Sequence, residues 1–102
     1  MAVMELNKNN FDLVKQSEKK VLLDFYADWC GPCRMLSPIV DEVAEEREDL
    51  FVGKINVDHE PELASRFGVL SIPTLVVLKD GQELRRAAGS RPKAKVLELL
   101  DE

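Results

Sequence analysis

The 102-residue chain has few of the residues that mark cross-linked or membrane-spanning proteins. Its only two cysteines lie within one tetrapeptide, so no disulfide framework can span the chain. No apolar run reaches transmembrane length, because Asp24 interrupts the run that begins at Val21 and the block at residues 75–78 is strand-sized. Residues 1–10 lack the apolar stretch of a signal peptide, so we expect a cytosolic protein whose thiols are kept reduced.

Basic residues are also fewer than acidic residues. The chain carries 14 Lys and Arg residues against 19 Asp and Glu residues, for a net charge of -5. This balance argues against nucleic acid or an anionic membrane as a partner. The length suits one hydrophobic core and is too short for two ordinary domains, so we predict a single domain over residues 1–102 and a monomer.

The apolar pattern predicts an α/β protein. Residues 21–26 are almost continuously apolar, which is typical of a central strand that is covered on both faces. A long amphipathic helix is predicted from Pro32, with a kink rather than a stop at Pro38. Its apolar positions recur at intervals of three and four residues: Met35, Leu36, Ile39, Val40, Val43 and Ala44.

The remaining segments complete an alternation of strands and helices. We predict an edge strand at residues 3–6, further strands at 51–57, 74–79 and 83–87, and a hairpin turn at Asp80-Gly81. Three more helices are predicted: one capped by Asn9 or Asn10, one from Pro61 to a left-handed Gly68, and one from about Arg91. This order indicates an α/β sheet with one antiparallel edge.

The tetrapeptide Cys30-Gly31-Pro32-Cys33 follows the central strand and opens the long helix. Free amides and the helix dipole favour a negative charge there, so we expect a more accessible thiolate at Cys30 than in an ordinary thiol with a pKa of about 8.5. Cys33, one turn deeper, could resolve a mixed disulfide formed at Cys30. Structural zinc needs four ligands, and only His59 and scattered carboxylates are at hand, so we expect no bound metal, although a cluster that bridges two chains stays open.

Two charged residues near this motif allow more than one interpretation. Asp24 lies in the middle of a buried strand, where it is either a satisfied structural carboxylate or the proton acceptor for Cys33, with a pKa raised by burial. Lys54, on the next strand, either pairs with Asp24 or is an exposed strand lysine. A cis bond at Ile72-Pro73 is disfavoured by its general rarity.

The segments VLLDFYADWCGPC, KINVD, SIPTL and KDG, together with Gly89, resemble the thioredoxin family over almost the whole chain. The resemblance implies the thioredoxin fold: a central mixed sheet of five strands flanked by four helices, with an exposed Cys30 beside a cis Pro73. It further implies that Cys30 is the nucleophile, Cys33 the resolving thiol, Asp24 the buried base and Lys54 its partner. The implied substrate-binding surface consists of Trp29, Gly31, Pro32, Ile72, Pro73 and Gly89.

The resemblance implies a protein-disulfide reductase with no bound cofactor, which receives electrons from a thioredoxin reductase and passes them to disulfide-containing proteins. An oxidase or isomerase of the same fold is an alternative, but such proteins usually carry a His between the cysteines, and Gly31-Pro32 favours a reductant. A binding subunit that uses the fold as a rigid platform is the other alternative. It would keep its partner after both cysteines are changed to serine.

Overall fold

The computed structural model describes residues 2–102, and within them five strands and four helices follow the predicted order. The strands are β1 (Val3–Glu5), β2 (Lys20–Tyr26), β3 (Leu50–Asn56), β4 (Thr74–Lys79) and β5 (Gln82–Ala88). The helices are α1 (Asp12–Gln16), α2 (Gly31–Glu46), α3 (Pro61–Arg66) and α4 (Lys93–Asp101). Over these same residues, no helix is both long and apolar enough to cross a membrane.

One mixed sheet holds the strands in the order β1-β3-β2-β4-β5. The pairs β1–β3 and β2–β3 are parallel, whereas β2–β4 and β4–β5 are antiparallel. Strand β2 is therefore central, as its apolar sequence predicts, and β1 lies at an edge. In this register Asp24 lies between Lys54 on β3 and Leu75 on β4.

Both faces of the sheet are covered by apolar side chains. Because neighbouring residues of a strand point to opposite faces, Leu22 packs with α2 and α4, whereas Leu23 packs with α1 and α3. Asp24 follows Leu22 in this alternation and Lys54 follows Val52, which is also on the α2 side. Both charged side chains are therefore directed to the face that α2 covers.

Helix α2 continues through Pro38 to Glu46, and its buried stripe consists of Cys33, Leu36, Val40, Val43 and Ala44. The assignment of Met35 to this stripe is wrong, because 68% of its surface is exposed. At about 100° per residue, Met35 lies roughly 200° around the helix from Cys33 and faces away from the sheet.

Asparagine does not cap α1, contrary to the prediction. Phe11 occupies the N-cap position and makes no side-chain cap hydrogen bond. The Asn7 side chain instead accepts hydrogen bonds from the amides of Asn9 and Asn10, at 2.8 and 3.0 Å. The asparagines thus close the turn that precedes the helix, which is the other use of short polar side chains.

The predicted turn glycines have the expected backbone. Gly68 ends α3 with φ of 62°, and Asp80 and Gly81 form the hairpin turn with φ of 54° and 79°. Two successive residues with positive φ match the twist of the adjoining strands.

Gly53 on β3 faces Leu6, and we expect Gly53→Ala to lower the free energy of unfolding by about 1–3 kcal/mol through overpacking. The added methyl group would lie 3.0 Å from Leu6 Cγ and 3.5 Å from Leu23 Cδ2, with Leu6 Cδ1 closer still. Denaturant unfolding measures the change. Gly31→Ala is the matched control, because no heavy atom lies within 4 Å of its added methyl group, and equal losses in both variants would contradict the prediction.

Candidate functional site

The junction between β2 and α2 places the two cysteines. Cys30 is the N-cap residue of α2, with an extended backbone (φ -89°, ψ 112°), and its Sγ accepts a hydrogen bond from the Cys33 amide at 3.2 Å. Pro32 occupies the first turn, where its missing amide hydrogen costs no helical hydrogen bond. The Cys30 sulfur therefore lies at the positive end of the helix dipole.

The two sulfurs are joined in a disulfide, with the Cα atoms 5.2 Å apart. Each cysteine is only 4% exposed, so the expected exposure of Cys30 is wrong for this oxidised form. The reason is local packing: the pair forms a small cluster with Ala27, and Ile72 packs against it. Access to the sulfur is confined to a narrow part of the surface.

The loop before β4 lies directly beside the disulfide. Its Ile72-Pro73 peptide bond is cis, and Cys30 Sγ lies 3.8 Å from the Ile72 carbonyl oxygen. The Pro73 carbonyl accepts a hydrogen bond from the Gly89 amide at 2.8 Å. Gly89 has φ of 95°, a left-handed backbone that favours glycine. The segments before β4 and after β5 are thus joined next to the reactive sulfur.

Trp29 is 69% exposed, yet its indole is anchored: Nε1 donates a hydrogen bond to Asp58 Oδ2 at 2.8 Å. The Asp58 amide donates to Asn56 Oδ1 at 2.9 Å, and Asn56 Nδ2 donates to Asp28 Oδ2 at 3.4 Å. These bonds tie the loop after β2 to the end of β3. Sequence analysis missed this network, because its members become neighbours only when the two strands pair.

An apolar pocket of about 230 Å³ lies between the indole and the loop before β4. Leu70 at its rim is 98% exposed. Of the predicted substrate-binding residues, Trp29 and Ile72 line this pocket, Pro32 is exposed and Pro73 is buried. The residues that line the pocket are Trp29, Val57, Ala64, Val69, Leu70, Ser71 and Ile72.

A second, more polar pocket of about 170 Å³ joins Asp24 to Cys33, both of which line it. Asp24 is 1% exposed, and its Oδ1 has no hydrogen-bond partner among residues 2–102. Burial raises the pKa of Asp24 to about 7; the attraction of Lys54 lowers it, and the repulsion of Asp41 and Glu5 raises it. The carboxyl therefore takes up and releases a proton near neutral pH.

Lys54 does not form the expected direct pair with Asp24. Its ammonium donates a hydrogen bond to Ser37 Oγ and lies 3.3 Å from Asp41 Oδ1, both on α2. Between Lys54 and Asp24, both within the described chain, no salt bridge is formed. Lys54 nevertheless lines the same pocket, so its effect on Asp24 acts through space.

Ser37 and Asp41 are site residues that sequence analysis missed. They follow Cys33 at intervals of four residues, which places all three along one face of α2. That spacing is a signal that sequence alone offers. The four-residue spacing is easily overlooked because the apolar stripe dominates the sequence pattern of this helix.

Cys30 caps α2 and is disulfide-bonded to Cys33, next to a cis-proline loop and close to a buried carboxyl. This arrangement fits a dithiol oxidoreductase of the thioredoxin fold. The family model "Thioredoxin" matches residues 2–102. Thioredoxin from Alicyclobacillus acidocaldarius is 47% identical over 93 residues, which cover 90% of this chain and 89% of that protein. Thioredoxin from Mycobacterium tuberculosis is 50% identical over 90 residues, or 87% of this chain and 78% of that protein.

A solved structure is also similar. A mutant thioredoxin from Halobacterium salinarum NRC-1 superposes with a TM-score of 0.90 at 39% identity, covering 97% of this chain and 88% of that one. The chain belongs to the thioredoxin family. It is a thiol-disulfide oxidoreductase, and the Cys30–Cys33 pair carries its dithiol-disulfide reductase activity.

The buried Asp24 predicts a pH-dependent effect of Asp24→Asn on stability. The folded-state pKa is about 7 and the ordinary value is 3.8, so ionising the folded carboxyl costs roughly 4 kcal/mol more than ionising it in the unfolded chain. This cost is absent below about pH 4, grows as the pH rises to about 7, and is constant above. Asp24→Asn should therefore raise the free energy of unfolding of the oxidised protein by roughly 2–4 kcal/mol at pH 8 and little at pH 4.

Denaturant unfolding at both pH values measures this effect. Glu45→Gln, which removes an exposed carboxylate from α2, should change stability little at either pH. An equal gain from Asp24→Asn at pH 4 and pH 8 would show that ionisation is not its cause.

Proposed function

We propose that Cys30 is the nucleophile that opens the substrate disulfide. Its thiolate attacks one substrate sulfur, the substrate S–S bond breaks, and the other substrate sulfur leaves as a thiolate. The observation that carries this role is the position of Cys30 Sγ at the helix N-terminus, within 3.2 Å of the Cys33 amide nitrogen. The same amide and dipole would stabilise the thiolate before attack.

Cys33 is the resolving thiol in this proposal, and Asp24 is its proton acceptor. The Cys33 thiol gives its proton to the Asp24 carboxylate, and the new thiolate attacks Cys30 Sγ. The Cys30–Cys33 disulfide forms while the mixed disulfide breaks and the substrate leaves as its second thiolate, which takes up a proton. Two electrons pass to the substrate. The pocket shared by Asp24 and Cys33 supports the proton transfer.

The proposed substrates are disulfide-containing proteins, bound as extended segments across the apolar surface next to Cys30. The exposed indole of Trp29 and the partly exposed Ile72 supply apolar contact on one side. Gly31, Pro32, Pro73 and Gly89 complete the surface. Gly31 has open space beside its Cα, so a substrate backbone can approach closely there.

The proposed electron donor is a thioredoxin reductase, which returns the disulfide to the dithiol. Because the cysteine pair itself accepts and delivers both electrons, the proposed cycle needs no bound cofactor or metal. We further propose that the protein works as a monomer in the cytosol. Family membership supports the donor, and a reducing compartment suits a pair that must be dithiol to act.

The two cysteine roles predict opposite results when each sulfur is removed. Cys33→Ser should trap a stable mixed disulfide between Cys30 and insulin with its disulfides intact, because the attacking thiolate is retained and the resolving one is lost. Cys30→Ser should trap none. Non-reducing electrophoresis and mass spectrometry of the adducts measure the outcome. Equal trapping by both variants would contradict the assignment of roles.

The proposed base predicts a pH-dependent rate of resolution. In the native protein this rate should rise with pH around pH 7, and Asp24→Asn should slow it about tenfold or more there, toward the low end of what a positioned base supplies. Rapid mixing of the reduced protein with insulin whose disulfides are intact, at pH 6 to 9, follows the reaction. Glu45→Gln should keep the native profile, and unchanged rates for Asp24→Asn across this range would remove the base role.

A further inference from the structure

The ammonium of Lys54 contacts residues of α2 and not the carboxyl of Asp24, which is its neighbour in the sheet. Lys54 and Asp24 are paired neighbours on β3 and β2, and both side chains are directed to the same face of the sheet. Yet the ammonium contacts Ser37 Oγ and Asp41 Oδ1, while Asp24 Oδ1 is left without a partner. Two carboxylates thus compete for one cation, and the one on α2 holds it.

We propose that Asp41 is a positioning residue: it holds the Lys54 ammonium away from Asp24 and so sets the pH at which Asp24 exchanges its proton with Cys33. The exchange with Cys33 rests on the function proposed above. The positioning of Lys54 itself rests on contacts that do not depend on that function.

Charged and titratable groups face Asp24 from three strands and one helix. They are Glu5 on β1, Tyr26 at the end of β2 with Asp28 just beyond it, Lys54 on β3, and Cys33, Arg34 and Asp41 on α2. Glu5 and Asp41 both raise the pKa of Asp24 by repulsion. Only Asp41 also contacts Lys54, because the Glu5 carboxylate accepts the hydrogen bond of the Tyr26 hydroxyl at 2.8 Å.

Removing the charge of Asp41 should lower the pKa of Asp24 in two ways. Repulsion between Asp41 and Asp24 ends, and Lys54 loses the carboxylate that draws it toward α2. A cation that moves within about 4–6 Å of a carboxylate favours the charged form and lowers its pKa. The Asp41 side chain is 58% exposed, so an asparagine fits there without strain in the core.

The test follows Asp24 directly in the oxidised protein, where the two cysteines do not titrate. Carbon NMR of the Asp24 carboxyl gives its titration midpoint. In Asp41→Asn this midpoint should fall by about one pH unit or more. Glu42→Gln is the matched control, because it removes the next carboxylate on α2, whose 2.8 Å ion pair is with Lys93. A midpoint that moves no further in Asp41→Asn than in this control overturns the proposal.

A second background tests whether the effect passes through Lys54. Lys54→Met keeps the apolar stem and removes the charge, so Asp41→Asn should shift the Asp24 midpoint less in this background than in the native protein. Equal shifts in the two backgrounds would overturn the positioning role, since Asp41 would then act on Asp24 by direct repulsion alone.

The rate of resolution separates this inference from the proposed base. If Asp24 accepts the proton of Cys33, the rise of the rate with pH moves to lower pH together with the Asp24 midpoint in Asp41→Asn. If the midpoint falls and the rate profile does not follow, Asp41 still positions Lys54, and the base role of Asp24 is wrong.

Discussion

The cysteine pair and the buried Asp24 owe their positions to strand β2, which is paired on both sides and covered on both faces. A strand so enclosed has one register and one orientation, because a slip by one residue would turn its apolar side chains to the wrong face. Its carboxyl end therefore delivers Cys30 to the start of α2 at a defined place. The same enclosure keeps Asp24 out of water in the middle of the strand.

The N-terminus of α2 and the middle of β2 provide opposite electrostatic environments for a negative charge. At the N-terminus of α2, backbone amides and the helix dipole favour a negative charge on Cys30. At Asp24, burial disfavours a negative charge and raises the pKa to about 7. Cys33 contacts both environments. Its backbone amide donates a hydrogen bond to Cys30 Sγ, and Cys33 lines the same pocket as Asp24. The proposed transfer of a proton from Cys33 to Asp24 would take place across this pocket.

Sequence patterns predict the parts that depend on local periodicity. The strand that reads VLLDFY, the hairpin at Asp80-Gly81 and the helix from the cysteine pair are all found where the pattern places them. The wrong or missed features depend on tertiary contacts. Met35 is exposed because the buried stripe of α2 lies on its other side, and Asp41 captures Lys54 because the packing of α2 on the sheet brings the two within 3.3 Å. A local sequence pattern cannot predict this contact, because the two residues lie on different elements.

Trp29 is the only tryptophan in the chain, and it adjoins Cys30. Its indole is exposed to solvent on one side and fixed by Asp58 on the other. All indole emission from this protein therefore originates beside the redox pair, with no background from a second tryptophan elsewhere. The chain thus carries an intrinsic optical reporter next to its redox pair.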